Sequence, residues 1–143
     1  MKKGIDYVGV GICYICHDGE GNFLMALRGQ GCRDEHMKWD TGGGALDHGE
    51  RVEECLKREI REEYLTEVLD LEFLGVRDVH RQTDEGIKTH WVALDYKVLI
   101  DKKQVGNGEP HKFDALDWFN MQTLPANLHS QLPTFFDRYR HRL

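Results

Sequence analysis

The sequence predicts a mixed α/β (α+β) fold: a strand-rich sheet with one central and one C-terminal helix. Three observations predict it. Apolar residues alternate from Tyr7 to His17, and Phe23 to Arg28 is a second apolar run, with the turn cluster Asp18-Gly19-Glu20-Gly21-Asn22 between them. From Glu50 to about Tyr64 the period changes, and Val52, Leu56, Ile60 and Tyr64 recur every fourth residue beside Cys55. Beyond the helix, Leu69 to Arg77 and His90 to Ile100 again read as strands, around a polar turn at Gln82 to Lys88.

The first two strands form a hairpin. Gly29 to Lys38 is polar and reads as a loop, and Gly42-Gly43-Gly44 is a segment no regular element favours. Asp47-His48-Gly49 supplies the start of the central helix, with Asp47 as the expected cap. Asp101 to Lys112 reads as a loop and Ala115 to Phe119 as a short strand. Ser130 is the expected cap of the last helix, with Pro133 in its first turn and Phe135, Phe136 and Tyr139 as core. With 143 residues, 40% of them hydrophobic, the chain suits one domain spanning 1–143.

No run of about 18 apolar residues exists, so no membrane-spanning helix is expected. The stretch after Lys2 and Lys3 alternates and contains Gly9 and Gly11, which fits a strand and not a signal peptide. A net charge of −6 argues against stable binding to nucleic acid. Cys13 and Cys16 form a lone C-x-x-C, and residues three apart on a strand face opposite ways. No second pair completes a zinc site, so Cys13, Cys16, Cys32 and Cys55 read as reduced thiols of a cytoplasmic protein.

The chemistry concentrates on the central helix. At 100° per residue, Glu62 and Glu63 fall about 60° and 40° to either side of Glu59. Three carboxylates then crowd one strip, where each exposed like-charge pair costs a few tenths of a kcal/mol. A hard cation such as Mg²⁺ relieves that repulsion, because it prefers carboxylate oxygens, water and phosphate. The competing reading is a solvated acidic face, partly neutralised by Lys57, Arg58 and Arg61. The upstream glycines favour the site, since they permit close backbone approach to a ligand ahead of a helix N-terminus that attracts phosphate.

Residues 44–66, GALDHGERVEECLKREIREEYLT, resemble the Nudix box, G-x5-E-x7-R-E-U-x-E-E-x-G-U, where U is a bulky aliphatic residue. Gly44, Glu50, Arg58, Glu59, Ile60, Glu62 and Glu63 match in register. Leu65 and Thr66 stand where the pattern has glycine and an aliphatic residue, which puts the helix terminus in question. Trp39-Asp40-Thr41-Gly42-Gly43 resembles the W-x-x-P-G-G lead-in, with Thr41 and Gly42 departing from it; Phe23 to Arg28 and the later Trp118-Phe119 and Leu124-Pro125 resemble further family segments.

The resemblance implies an α/β/α sandwich around a mixed β-sheet and hydrolysis of a nucleoside diphosphate linked to another group. It implies Mg²⁺, sometimes Mn²⁺, held by Glu59, Glu62 and Glu63 with the Gly43 carbonyl. Glu50 and Arg58 become structural supports, and Glu62, Glu63 or the loop residue Glu109 the acceptor of a proton. Arg28, Gly43 and Gly44 are candidate substrate contacts. Arg33, Trp39, His48, His80, His90 and Trp91 read chiefly as surface or packing residues. The expected partner is a small nucleotide, most simply a nucleoside triphosphate. ADP-ribose, a dinucleoside polyphosphate, capped RNA or a nucleotide sugar is the alternative, and a noncatalytic nucleotide-binding module the second class. A monomer or homodimer is expected, with no membrane association.

Overall fold

A computed structural model describes all residues, Met1–Leu143. Seven strands and two helices follow in the order β1 (Gly9–His17), β2 (Phe23–Arg28), β3 (Trp39–Asp40), β4 (Gly42–Ala45), α1 (Val52–Tyr64), β5 (Val68–Gln82), β6 (Lys88–Ile100), β7 (Phe113–Phe119) and α2 (Leu132–Tyr139). The sheet runs β3-β2-β1-β6-β5, with β4 added to β1 and β7 to β2. β1 and β6 are parallel and the other named pairings antiparallel, so the sheet is mixed.

The alternation along β1 divides the core. Ile12, Tyr14 and Cys16 pack with Cys55, Leu56, Ile60 and Tyr64 of α1. Cys13 and Ile15 pack with Leu132, Phe135, Phe136 and Tyr139 of α2. The two helices thus cover opposite faces, giving the α/β/α arrangement of the α+β class. The four α1 residues are fully buried, and each contributes on the order of 2 kcal/mol by leaving water. Cys13 and Cys16 lie in different clusters, as the strand period requires, and all four cysteines are free. No helix is long and apolar enough to cross a membrane.

The triple glycine differs from its expected irregular form. Gly42–Ala45 is a strand, paired with β1 in the register Tyr14↔Gly42, Cys13↔Gly43 and Ile12↔Gly44. The glycines serve close packing. A Cβ on Gly42 would fall 2.0 Å from the Tyr14 ring, one on Gly43 2.6 Å from the Ile12 carbonyl oxygen, and one on Gly44 2.4 Å from the Glu59 carboxyl carbon.

Neither helix uses its expected cap. The residue before α1 is Arg51, whose amide donates to the Glu54 carboxylate at 3.4 Å. Asp47 instead forms a turn, its carbonyl accepting from the Glu50 amide at 3.0 Å. At α2 the capping position is Gln131, and the Ser130 hydroxyl and amide both donate to Glu35. A carboxylate reached across the fold has won Ser130 from its local role.

α1 still ends where the resemblance requires. Leu65 adopts φ 54°, ψ 32°, the left-handed conformation that glycine takes without cost, and its amide donates to the Arg61 carbonyl. A side chain there costs about 1 kcal/mol. Leu65 is 57% exposed, with its methyls against Gly106 and Gly108. Leu65→Gly is therefore expected to stabilise the protein by roughly 0.5 kcal/mol after loss of that contact. A urea midpoint raised at constant slope would report it, and an unchanged or lower midpoint would refute it.

Candidate active site

Helix α1 presents the glutamates, and each has a different environment. Glu63 is buried and accepts a hydrogen bond from the Tyr14 hydroxyl at 2.7 Å. Burial, with Glu59, Glu109 and Asp40 nearby, pushes its carboxyl well above the usual carboxylate range against the lowering effect of Tyr14. Glu59 lies under β4, its carboxylate 3.0 Å from Arg58. Burial also raises its pKa; Arg58 opposes the rise, whereas Glu62 and Glu109 add to it. Glu62 is about half exposed, 3.5 Å from Arg58.

Arg58 is the cation of the cluster. Its Nε donates to Glu50 Oε2 at 2.7 Å and its Nη2 to Glu50 Oε1 at 3.0 Å, a bidentate fork, while Nη1 reaches Glu59. The hydrogen bond from Arg58 holds the Glu50 carboxyl down to about 2, against the opposing effect of desolvation. The fork ties the loop before α1 to the middle of the helix and fixes Glu59 from one side.

Glu109 arrives by another route. The Glu63 and Tyr64 carbonyls near the end of α1 have no further helical turn to satisfy them. They accept from the Gly108 amide at 2.9 Å and the Gly106 amide at 3.0 Å. A Cβ on Gly108 would lie 1.9 Å from the Glu62 carbonyl oxygen, so only glycine permits this approach. The loop is thereby laid along the helix end, where Glu109 adds its charge beside Glu59 and Glu63 and lies 3.4 Å from Lys112.

The remaining candidates are placed as follows. Arg28 closes β2, with its guanidinium on the Asp34 carbonyl and carboxylate and on Asp40 at 3.3 Å. A phosphate contact there requires exchange of one of these oxygens. Gly43 and Gly44 lie in β4, Gly43 against the Ile12 carbonyl and Gly44 against Glu59. Trp39 packs edge-on against Phe119, centroids 5.0 Å apart. Arg33 and His48 are exposed. Trp91 fills the space over Gly4 and Gly9.

Two features escaped the sequence. Tyr14, the donor to Glu63, could have been placed on the α1 face by its parity with Ile12 and Cys16. Glu35 could not, because its partners are remote: Ser130, His129 at 3.1 Å and Arg81 at 2.8 Å. The Gln131 amide donates to His129 Nδ1, so the neutral ring's Nε2–H is available to Glu35. This strap binds the segment 29–38 to β5 and to the approach of α2.

Burial would raise the Glu35 carboxyl, but Ser130, His129 and Arg81 outweigh it and lower it from 4.5 to about 2. A depressed folded-state pKa contributes stability that is present above the unfolded value and lost as pH falls through the folded one. The strap's contribution should therefore disappear between about pH 4.5 and pH 2. Glu35→Ala is expected to cost about 2 kcal/mol at pH 7 and to flatten that acid limb. Chemical denaturation across this pH range checks it; parallel wild-type and variant curves would contradict it.

A sheet covered on both faces by helices thus sets a carboxylate cluster from one helix beside a glycine strand. The NUDIX domain model matches residues 7–139, and the chain belongs to the Nudix family. Among solved structures it is similar to a MutT NUDIX hydrolase from Burkholderia pseudomallei, at 28% identity and TM-score 0.80, over 93% of this chain and 98% of that one. It also shares its fold with a MutT protein from Methanosarcina mazei Go1, at 19% identity and TM-score 0.77, over 94% of each chain. A third likeness of fold is to the NUDIX domain of Shewanella oneidensis NrtR complexed with ADP ribose, at 16% identity and TM-score 0.73, over 99% of this chain and 92% of that one.

Proposed function

We propose that the chain is a Mg²⁺-dependent pyrophosphohydrolase whose substrate is a nucleoside triphosphate, cut to the monophosphate and pyrophosphate. The observation that carries the reading is the convergence of Glu59, Glu62, Glu63 and Glu109, in which Glu59 and Glu63 both have raised pKa values. Desolvated carboxylates this close are electrostatically unfavourable until a cation joins them. The donor set is all oxygen, which suits Mg²⁺, or Mn²⁺ in its place. Glu59, Glu62 and Glu63, with the Gly43 carbonyl, are the proposed ligands. Bound there, the ion supplies charge neutralisation of the phosphates and a water of lowered pKa.

The chain's own residues do the rest. Arg58 holds Glu59 in place and is itself fixed by Glu50. Tyr14 orients Glu63. Glu62, the most accessible of the three, is the proposed acceptor of the water's proton, with Glu109 as the alternative. Gly44 leaves room for the Glu59 carboxylate to lie against β4, and Arg28 is the proposed cation at the far side, reached by exchange with Asp34 or Asp40. A noncatalytic nucleotide-binding module is disfavoured because every box carboxylate is present. The likeness to a MutT NUDIX hydrolase supports the hydrolase reading.

A substrate screen with Mg²⁺ tests it, covering canonical and oxidised nucleoside triphosphates, ADP-ribose, dinucleoside polyphosphates and nucleotide sugars, with products separated by chromatography. Turnover of a triphosphate to pyrophosphate is the expected result. Preference for ADP-ribose or a nucleotide sugar would move the substrate within the same chemistry. Nucleotide binding without product would favour the binding module.

A further inference from the structure

We infer that the chain carries a second divalent-cation site, for a borderline transition ion such as Zn²⁺, at Asp78, His80 and His90. The β5–β6 hairpin builds it. His80 and His90 are direct cross-strand partners, and Asp78 stands opposite Val92, two residues along the same strand. Residues two apart on a strand share a face, so all three side chains project from one side of the ribbon. One ligand atom from each lies within 4.8 Å of the others. His90 Nε2 is already 2.8 Å from Asp78 Oδ1, and the two imidazoles stack with centroids 4.2 Å apart at 27°.

Those separations are near what an ion needs. Ligands about 2.1 Å from a tetrahedral centre stand roughly 3.4 Å from one another. Closing from 4.8 Å requires side-chain rotation only, because the backbone spacing is fixed by the ladder. Asp78 and His80 are exposed and His90 is partly so, with 38% of its side chain accessible, so a hydrated ion has access and water can complete its coordination.

The donor chemistry separates this site from the glutamates of α1. Two imidazoles and one carboxylate suit Zn²⁺, Ni²⁺ or Cu²⁺ and not Mg²⁺, which prefers oxygen throughout. The three residues make no hydrogen bond or ion pair with Glu59, Glu62 or Glu63. Nor do the cysteines compete, since all four are buried. On binding, the ion displaces the proton shared between His90 and Asp78 and cross-links β5 to β6 beside the turn at 83–87.

The test is calorimetric titration of the full chain with Zn²⁺ in excess Mg²⁺, which masks the glutamate site. One equivalent should bind, with affinity reduced about tenfold or more in both His80→Ala and His90→Ala and retained in Glu62→Gln. Histidine side-chain NMR of the unsubstituted protein gives a readout independent of any variant's folding: the His80 and His90 ring signals should move together at substoichiometric Zn²⁺. Binding unaffected by both histidine substitutions, binding lost in Glu62→Gln, or unmoved His80 and His90 signals would overturn the assignment.

Discussion

Glu62→Gln is expected to lower turnover by at least about 10²-fold while the protein stays folded. The two halves of that expectation have separate physical grounds. Glu62 is about half exposed and its nearest charge, Arg58, is 3.5 Å away and engaged more closely by Glu50 and Glu59. An exposed pair of this kind contributes little to stability, and glutamine keeps the side chain's size. What is lost is an anionic oxygen that can hold a cation or accept a proton. Steady-state rates with saturating Mg²⁺, beside thermal melts, distinguish the two. Near-normal turnover in the variant would remove Glu62 from the chemistry; a large fall in melting temperature would show that the fold depends on it.

Gly42→Ala is expected to cost about 3 kcal/mol, near the top of the range for an overpacked core. The new methyl would meet the Tyr14 ring at 2.0 and 2.4 Å. That ring has nowhere to retreat: it is fully buried, Tyr64 packs edge-on against it at 6.1 Å, and its hydroxyl is committed to Glu63. Any relaxation of Tyr14 also disturbs the Glu63 carboxylate, so the surviving folded fraction should turn over more slowly than wild type. Equilibrium denaturation and single-turnover rates check the pair of effects. A variant with unchanged stability would show that β4 can move away from β1, contrary to the pairing described.

The periodic parts of the molecule were legible because one face of each element decides its pattern. Alternation in β1 and the four-residue recurrence in α1 report burial against a single layer, and both elements stand where the pattern places them. The carboxylate strip was legible for the same reason, since three residues within one turn share a side of the helix whatever surrounds them. Long-range choices were not. Gly42-Gly43-Gly44 has no strand propensity, and becomes β4 only because Gly42 leaves space for the Tyr14 ring and Gly44 for the Glu59 carboxylate on the same face. Ser130 has the composition of a helix cap, but Glu35, brought across the fold, claims its hydroxyl and amide. Leu65 occupies a glycine's conformation because burial of Tyr64 and the amides of the 105–109 loop fix the end of α1 more firmly than one residue's preference can move it. The histidines at 80 and 90 are unremarkable in sequence; only the register of β5 against β6 makes them neighbours.

The central claim is that the glutamates of α1 work through a bound divalent cation. It is tested most directly by following pyrophosphate release from a nucleoside triphosphate as Mg²⁺ is titrated into chelator-treated protein, with Glu62→Gln in parallel. Saturable activation of the wild type, abolished by chelator, restored by Mg²⁺ and weakened at least about 10²-fold in the variant, is the predicted result. Turnover that persists without any divalent cation, or that responds to Mg²⁺ equally in both proteins, would contradict it.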